Sequence, residues 1–124
     1  MKVGFIGAGN MASAMIGGML QKGLLQKEDI IASSATQKTA DRVAKEFGIF
    51  TTLDNKEVAK ADIVILAIKP IYCEGVIREI RDQIGENQIV VTIVAGRSLQ
   101  WLSDTFGKQV KLIRTMPNTP ALVG

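Results

Sequence analysis

Between Asp62 and Lys69 the chain carries its longest uninterrupted apolar run, Ile63 to Ile68. A strand with one wet face alternates apolar and polar residues, whereas consecutive apolar residues require cover on both faces. That requirement is met in the middle of a parallel sheet sandwiched by helices. The run is far short of the roughly 20 residues a membrane-spanning helix needs, so no bilayer partner is expected. Ile89 to Val94, broken only by Thr92, is another buried strand, and Val3 to Ile6 is a short apolar run ended by glycines.

Helical spacing fills the intervals between these strands. From Asn10 it runs through Met11, Ala14, Met15, Gly18 and Met19, with Gly23 as a stop. Ile30-Ile31-Ala32 reads as the second strand, and Thr39 to Phe47 as the next helix, closed by Gly48 ahead of a short strand at Ile49 to Thr51. Asn55 to Lys60 is a short helix, and Lys69-Pro70 marks where the chain leaves the strand Asp62 to Ile68. Ile71 to Ile84 forms a helix with Val76, Ile77, Ile80 and Ile84 on its apolar side. Ser98 can cap a helix reaching Phe106, and Val110 to Arg114 is a final strand. Six strands alternating with five helices over short connections predict one domain over residues 1–124, an open, doubly wound, mostly parallel α/β sheet in three layers. Such sheets collect ligands at the carboxyl ends of their strands.

The turn after the first strand is Gly7-Ala8-Gly9-Asn10-Met11-Ala12. A pyrophosphate needs backbone N–H groups at close range, and a side chain at Gly7 or Gly9 would obstruct either the tight turn or that approach. Ala12 takes the third small position, where helix and strand pack closely, and the helix N-terminus turns its partial positive charge to the phosphates. A lone GxGxxA also occurs in purely structural turns; strand before, helix after and a βαβ start make this one a Rossmann-type NAD(P) loop.

The end of the second strand selects between NAD and NADP, because an acidic residue there binds the ribose hydroxyls and repels a 2′-phosphate. The residues are Ala32-Ser33-Ser34-Ala35-Thr36. Glu28 and Asp29 precede the strand, and ~4 residues at ~3.3 Å each hold them ~13 Å from the needed end. Hydroxyls of Ser33, Ser34 and Thr36, with Lys38 nearby, suit a 2′-phosphate, so NADP(H) is preferred and NAD(H) remains possible. Turn chemistry is the plainer account of the serines. Ala67-Ile68-Lys69-Pro70 and Val94-Ala95-Gly96 end neighbouring central strands and face the same crevice, where the nicotinamide is expected. Lys69 reads more simply as a solvated loop lysine than as a proton donor. Thr115 to Pro120, with two prolines after the last strand, is either a turn or a rigid substrate-side loop.

Inventory excludes several chemistries. Cys73 is the only cysteine and histidine is absent, so internal disulfides, zinc clusters and histidine-based triads are ruled out, and no metal is expected. The net charge of +3 is spread without a basic stripe, which argues against a nucleic-acid partner. The strand pattern begins at Met1-Lys2-Val3 without a leader-like stretch, so a cytoplasmic location is the expectation.

Taken together, the segments FIGAGNMA, IIASS, ILAIKP, IVAG and IRTMPNTPALVG, in this order and spacing, resemble the amino-terminal domain of pyrroline-5-carboxylate reductase over the whole chain. The resemblance implies hydride transfer from NAD(P)H to the ring C=N carbon of 1-pyrroline-5-carboxylate, giving L-proline. It implies cofactor contacts from Ile6, Gly7, Ala8, Gly9, Asn10 and Met11, from Ser34 and Asn55, and from Ala67, Ile68, Lys69 and Pro70. Ile93, Val94 and Ala95 match a nicotinamide-side segment, and Met116, Pro117, Asn118 and Thr119 a loop beside the active site. Ala12 departs from the glycine of many members. The family continues into a helical domain that forms the homo-oligomer and supplies most of the substrate site, so the chain is read as the cofactor part of a longer reductase. Hydride reduction of an imine asks for orientation and a protonated nitrogen, and no catalytic side chain is assigned.

Three other readings compete: the cofactor domain of another NADP-dependent reductase, a nucleotide-sensing module without chemistry, and a methyltransferase using S-adenosylmethionine. A sensor needs neither the AIKP nor the MPNTP loop, and a methyltransferase would want an acid at the end of strand two.

Overall fold

A computed structural model describes residues 1–93 and 96–115. Its strands β1 (Val3–Ile6), β2 (Ile30–Ser33), β3 (Phe50–Thr52), β4 (Ile63–Leu66), β5 (Ile89–Thr92) and β6 (Lys111–Arg114) form one parallel sheet. Between them run helices α1 (Asn10–Gln21), α2 (Gln37–Phe47), α3 (Asn55–Val58), α4 (Pro70–Ile80) and α5 (Leu99–Phe106). The strand order is β3-β2-β1-β4-β5-β6. Successive strands step outward one way from β1 and then the other way from β4, leaving a switch point between the two where a crevice opens.

Two apolar layers cover the sheet, as the unbroken run in β4 required. Val64 and Leu66 join Ile77, Ile80, Leu102 and Phe106 on one face, and Ile65 joins Phe5, Ile16, Ile30 and Val43 on the other. Gly4 lies under α3 with no room to spare, since a Cβ there would stand 2.6 Å from Val58 Cγ1. Register aligns the carboxyl ends: Ile6 pairs with Ser33 and Leu66, Leu66 with Thr92, and Thr92 with Arg114. The loops after β1, β2 and β4 therefore leave the sheet at one level. Among the described residues no helix is long and apolar enough to cross a membrane.

Most boundaries shift by one or two residues from the sequence reading, and three of the shifts bear on the cleft and the core. The apolar run of β4 stays in the sheet only to Leu66, and Ala67 and Ile68 sit half-buried in the loop. Pro70 occupies the first turn of α4, where its missing N–H costs nothing, so it starts a helix as well as ending the strand's exit. That helix stops at Ile80, and a 3₁₀ turn, Arg81–Gln83, delivers Ile84 to the core.

Candidate functional site

At the switch point an open cleft of about 450 Å³ is walled by the loops after β1, β2 and β4 and by the first turns of α4. Gly7 makes the turn out of β1 at φ +103°. A Cβ there would collide with the Ala67 carbonyl, and the Gly7 N–H donates to Ser33 O at 3.2 Å. Gly7 is thus required by the protein's own backbone. Gly9 differs: its φ of −79° suits any residue, and a Cβ would meet nothing within 4 Å. Packing among the described residues gives no reason for the missing side chain at Gly9, which opens onto the cleft.

The helix ends divide in the same way. Thr36, Asp54 and Ser98 cap α2, α3 and α5 with side-chain oxygens, whereas α1 and α4, which follow the two central strands, have no side-chain cap. α1 also has no acidic residue in its first turn. The amides at its start therefore face the cleft with the positive end of a 12-residue helix behind them, as an anion requires.

At the end of β2 the hydroxyls are already engaged. Ser33 is buried, and its Oγ donates to Asn55 Oδ1 at 2.6 Å; the Asn55 amide in turn donates to Glu79 Oε1 at 2.7 Å. Ser34 Oγ accepts from the Thr36 N–H at 3.3 Å. Thr36 Oγ1 accepts from the Thr39 N–H and donates to Thr39 Oγ1, so that hydroxyl serves the cap of α2. Glu28 and Asp29 lie at the opposite end of β2, in a 3₁₀ turn that precedes it.

Of the residues singled out from the sequence, Ile6, Gly7, Ala8 and Gly9, Ser33, Ser34 and Asn55, and Ala67, Ile68 and Lys69 all line the cleft. Asn10, Met11 and Pro70 begin the two uncapped helices at its edge without forming its wall. Ile93 is buried beyond β5 and is not on the wall. Val94 and Ala95, with Met116, Pro117, Asn118 and Thr119, lie outside the described residues. Leu53, Tyr72 and Val76 also line the cleft and were not foreseen. Leu53 and Tyr72 are more than half exposed, so an apolar surface stands open at the mouth. Their signal was an exposed apolar residue beside a cap at Asp54 and another one turn before Val76.

Cys73 lies on the buried side of α4. Burial pushes its thiol up and the nearby Arg97 guanidinium pulls it only partly back, so it is a neutral core residue and no nucleophile at neutral pH. Arg97 itself stacks over the Trp101 ring at 4.4 Å.

Residues 2–96 match the family of NADP oxidoreductases described as coenzyme F420-dependent. Pyrroline-5-carboxylate reductase from Escherichia coli is 38% identical over 123 residues, covering 98% of this chain and 46% of that protein. The Arabidopsis thaliana enzyme of the same name is 36% identical over 124 residues, covering 99% of this chain and 45% of that protein. Among solved structures, a pyrroline-5-carboxylate reductase from Coxiella burnetii superposes with a TM-score of 0.91 at 31% identity, covering 98% of this chain and 46% of that one. A Plasmodium falciparum pyrroline carboxylate reductase solved with NADP bound gives 0.84 at 27% identity, covering 99% and 44%. The chain matches the amino-terminal part of these relatives and spans about half their length.

Proposed function

The chain belongs to the NADP oxidoreductase family described as coenzyme F420-dependent, and from that membership we propose that it is the cofactor-binding domain, residues 1–124, of a pyrroline-5-carboxylate reductase. The observation that carries the cofactor site is Gly9, a side chain omitted where the protein itself leaves space, beside a helix start without a cap. A pyrophosphate laid there accepts from the amides of Ala8 to Met11 and takes the position of the missing cap. The nicotinamide end extends past Ala67 to Pro70 and the adenosine end past Ser34 and Asn55, with Ile93, Val94 and Ala95 kept as the nicotinamide-side segment on the family resemblance alone. NADP(H) is the preferred cofactor and NAD(H) the alternative, because the end of β2 offers hydroxyls and no carboxylate of its own.

Bound NADPH supplies a hydride for the imine carbon of 1-pyrroline-5-carboxylate. The chain holds the cofactor in one orientation over the sheet's carboxyl end. The ring nitrogen enters protonated, and two electrons arriving with the hydride reduce the C=N bond to the C–N bond of L-proline. Met116, Pro117, Asn118 and Thr119 are assigned to the substrate by their resemblance to the family's loop beside the active site. The part of the relatives' length that lies outside these 124 residues would provide the rest of the substrate site and the contacts of a cytoplasmic homo-oligomer.

The test is proline formation by a protein carrying both halves. NADPH is consumed only when 1-pyrroline-5-carboxylate is present, L-proline accumulates in equal amount, and Gly9→Val abolishes both. Consumption driven by a different small substrate, with none on 1-pyrroline-5-carboxylate, contradicts the assignment.

A further inference from the structure

At the rim of the cleft, Ser33, Asn55 and Glu79 form a chain of two hydrogen bonds that crosses from β2 through α3 to α4. Only one member of it is a carboxylate, which can accept and not donate, and that member sets the direction of both bonds. The Glu79 carboxylate has acceptors and no proton to give, so the Asn55 group facing it must be the amide NH₂. The Asn55 carbonyl oxygen is then turned to Ser33, and the Ser33 hydroxyl proton is committed to it at 2.6 Å. What Ser33 has left for a ligand in the cleft is a lone pair. Ser34 has the reverse arrangement: its Oγ accepts from the Thr36 N–H, and among the described residues its proton has no acceptor.

We propose that Glu79 is a positioning residue that fixes, through Asn55, the hydrogen-bond polarity of Ser33, which therefore meets the cofactor as an acceptor, whereas Ser34, whose Oγ accepts from the Thr36 N–H, meets it as a donor independently of Glu79. An acceptor suits a ribose hydroxyl, which NADH and NADPH both carry. A donor suits the 2′-phosphate oxygens, which only NADPH carries. The two adjacent serines therefore divide the work: Ser33 recognises the nucleotide and Ser34 discriminates between its two forms. Glu79 is exposed on α4 and does not line the cleft, so it acts only through Asn55.

The inference rests on the cleft binding a nicotinamide dinucleotide, and the experiment separates the two. Dissociation constants for NADPH and NADH are measured on the chain and on Ser33→Ala, Ser34→Ala, Glu79→Gln and the double variant Ser33→Ala with Glu79→Gln. Ser33→Ala weakens both cofactors by the same factor, about 2- to 10-fold for one neutral hydrogen bond, and leaves their ratio unchanged. Ser34→Ala weakens NADPH alone, about 10-fold or more for a bond to a charged phosphate. Gln at 79 can donate as well as accept, so Asn55 is free to turn over and Ser33 to donate; the ratio then moves toward NADPH by about 3-fold or more. In the double variant that gain disappears, whereas loss of a negative charge alone would preserve it. A Ser33→Ala defect confined to NADPH, or a gain in Glu79→Gln that survives Ser33→Ala, overturns the proposal while leaving the cofactor site standing. Failure of the folded chain to bind either cofactor overturns the site and the proposal together.

Discussion

The two ends of the sheet are built from similar residues and put them to opposite uses. At the amino end the polar groups bond one another: Lys2 N–H donates to Asp62 Oδ2 at 2.7 Å, Lys2 Nζ to Glu28 O at 2.6 Å, and Gln26 N–H to Asp29 Oδ2 at 3.0 Å. Gln88 ties Ala59 O and Ala61 O with its amide while accepting from Gly85 N. At the carboxyl end the central helices begin without side-chain caps, Gly9 leaves space unfilled, and Leu53 and Tyr72 stand exposed. One end closes the domain, and the other is left incomplete for a ligand to complete.

The largest effect that can break this contrast is in binding. Gly9→Val, at a φ any residue adopts and with open space beyond the Cβ, lowers NADPH affinity by about 100-fold or more, equal to about 2.7 kcal/mol. Its stability to urea falls by no more than about 1 kcal/mol, the cost of valine in place of glycine at the N-cap of α1. Gly7→Ala, two residues earlier, has the opposite signature. Its positive φ and the Ala67 carbonyl in its path cost about 3 kcal/mol of stability in the same titration. Equal behaviour of the two variants would mean that the loop is one structural turn and that the division drawn within it is wrong.

That division was only partly legible in the sequence. GxGxxA marks both glycines alike, and only the position of Ala67 against Gly7 separates the one the fold needs from the one whose missing side chain leaves the cleft open. The buried strands were legible because consecutive apolar residues such as Val64, Ile65 and Leu66 have one physical solution. Their carboxyl ends were not, since Ala67 and Ile68 are as apolar as the strand yet belong to the cleft wall. Ser33 and Ser34 look equivalent on the chain. Their difference comes from Asn55, 22 residues on, and from Glu79, 24 residues beyond that, which only the packing of α3 and α4 against β2 brings near. Val76 was read as sheet cover; it packs on the core and lines the cleft at once.

Smaller effects are in stability. Gln88→Ala removes two bonds to main-chain carbonyls and lowers stability by about 2 kcal/mol, with NADPH affinity unchanged once the protein is folded. At the carboxyl end, off the cleft wall, Ser98→Ala deletes the α5 cap to the Trp101 N–H and costs about 1 kcal/mol. Both are read from urea midpoints at constant slope. A loss of cofactor affinity in Gln88→Ala under folding conditions would show that the two ends are coupled.

Amide chemical-shift mapping of the chain during an NADPH titration tests the central claim most directly, because it reads both ends in one experiment. The account predicts saturable shifts at Gly7 to Met11, Ser34 to Thr36, Leu53 to Asn55 and Ala67 to Tyr72, with Gln26 to Asp29, Ala59 to Asp62 and Gly85 to Gln88 unmoved. Shifts concentrated at the amino end, or a folded chain whose spectrum NADPH leaves unchanged, would contradict it.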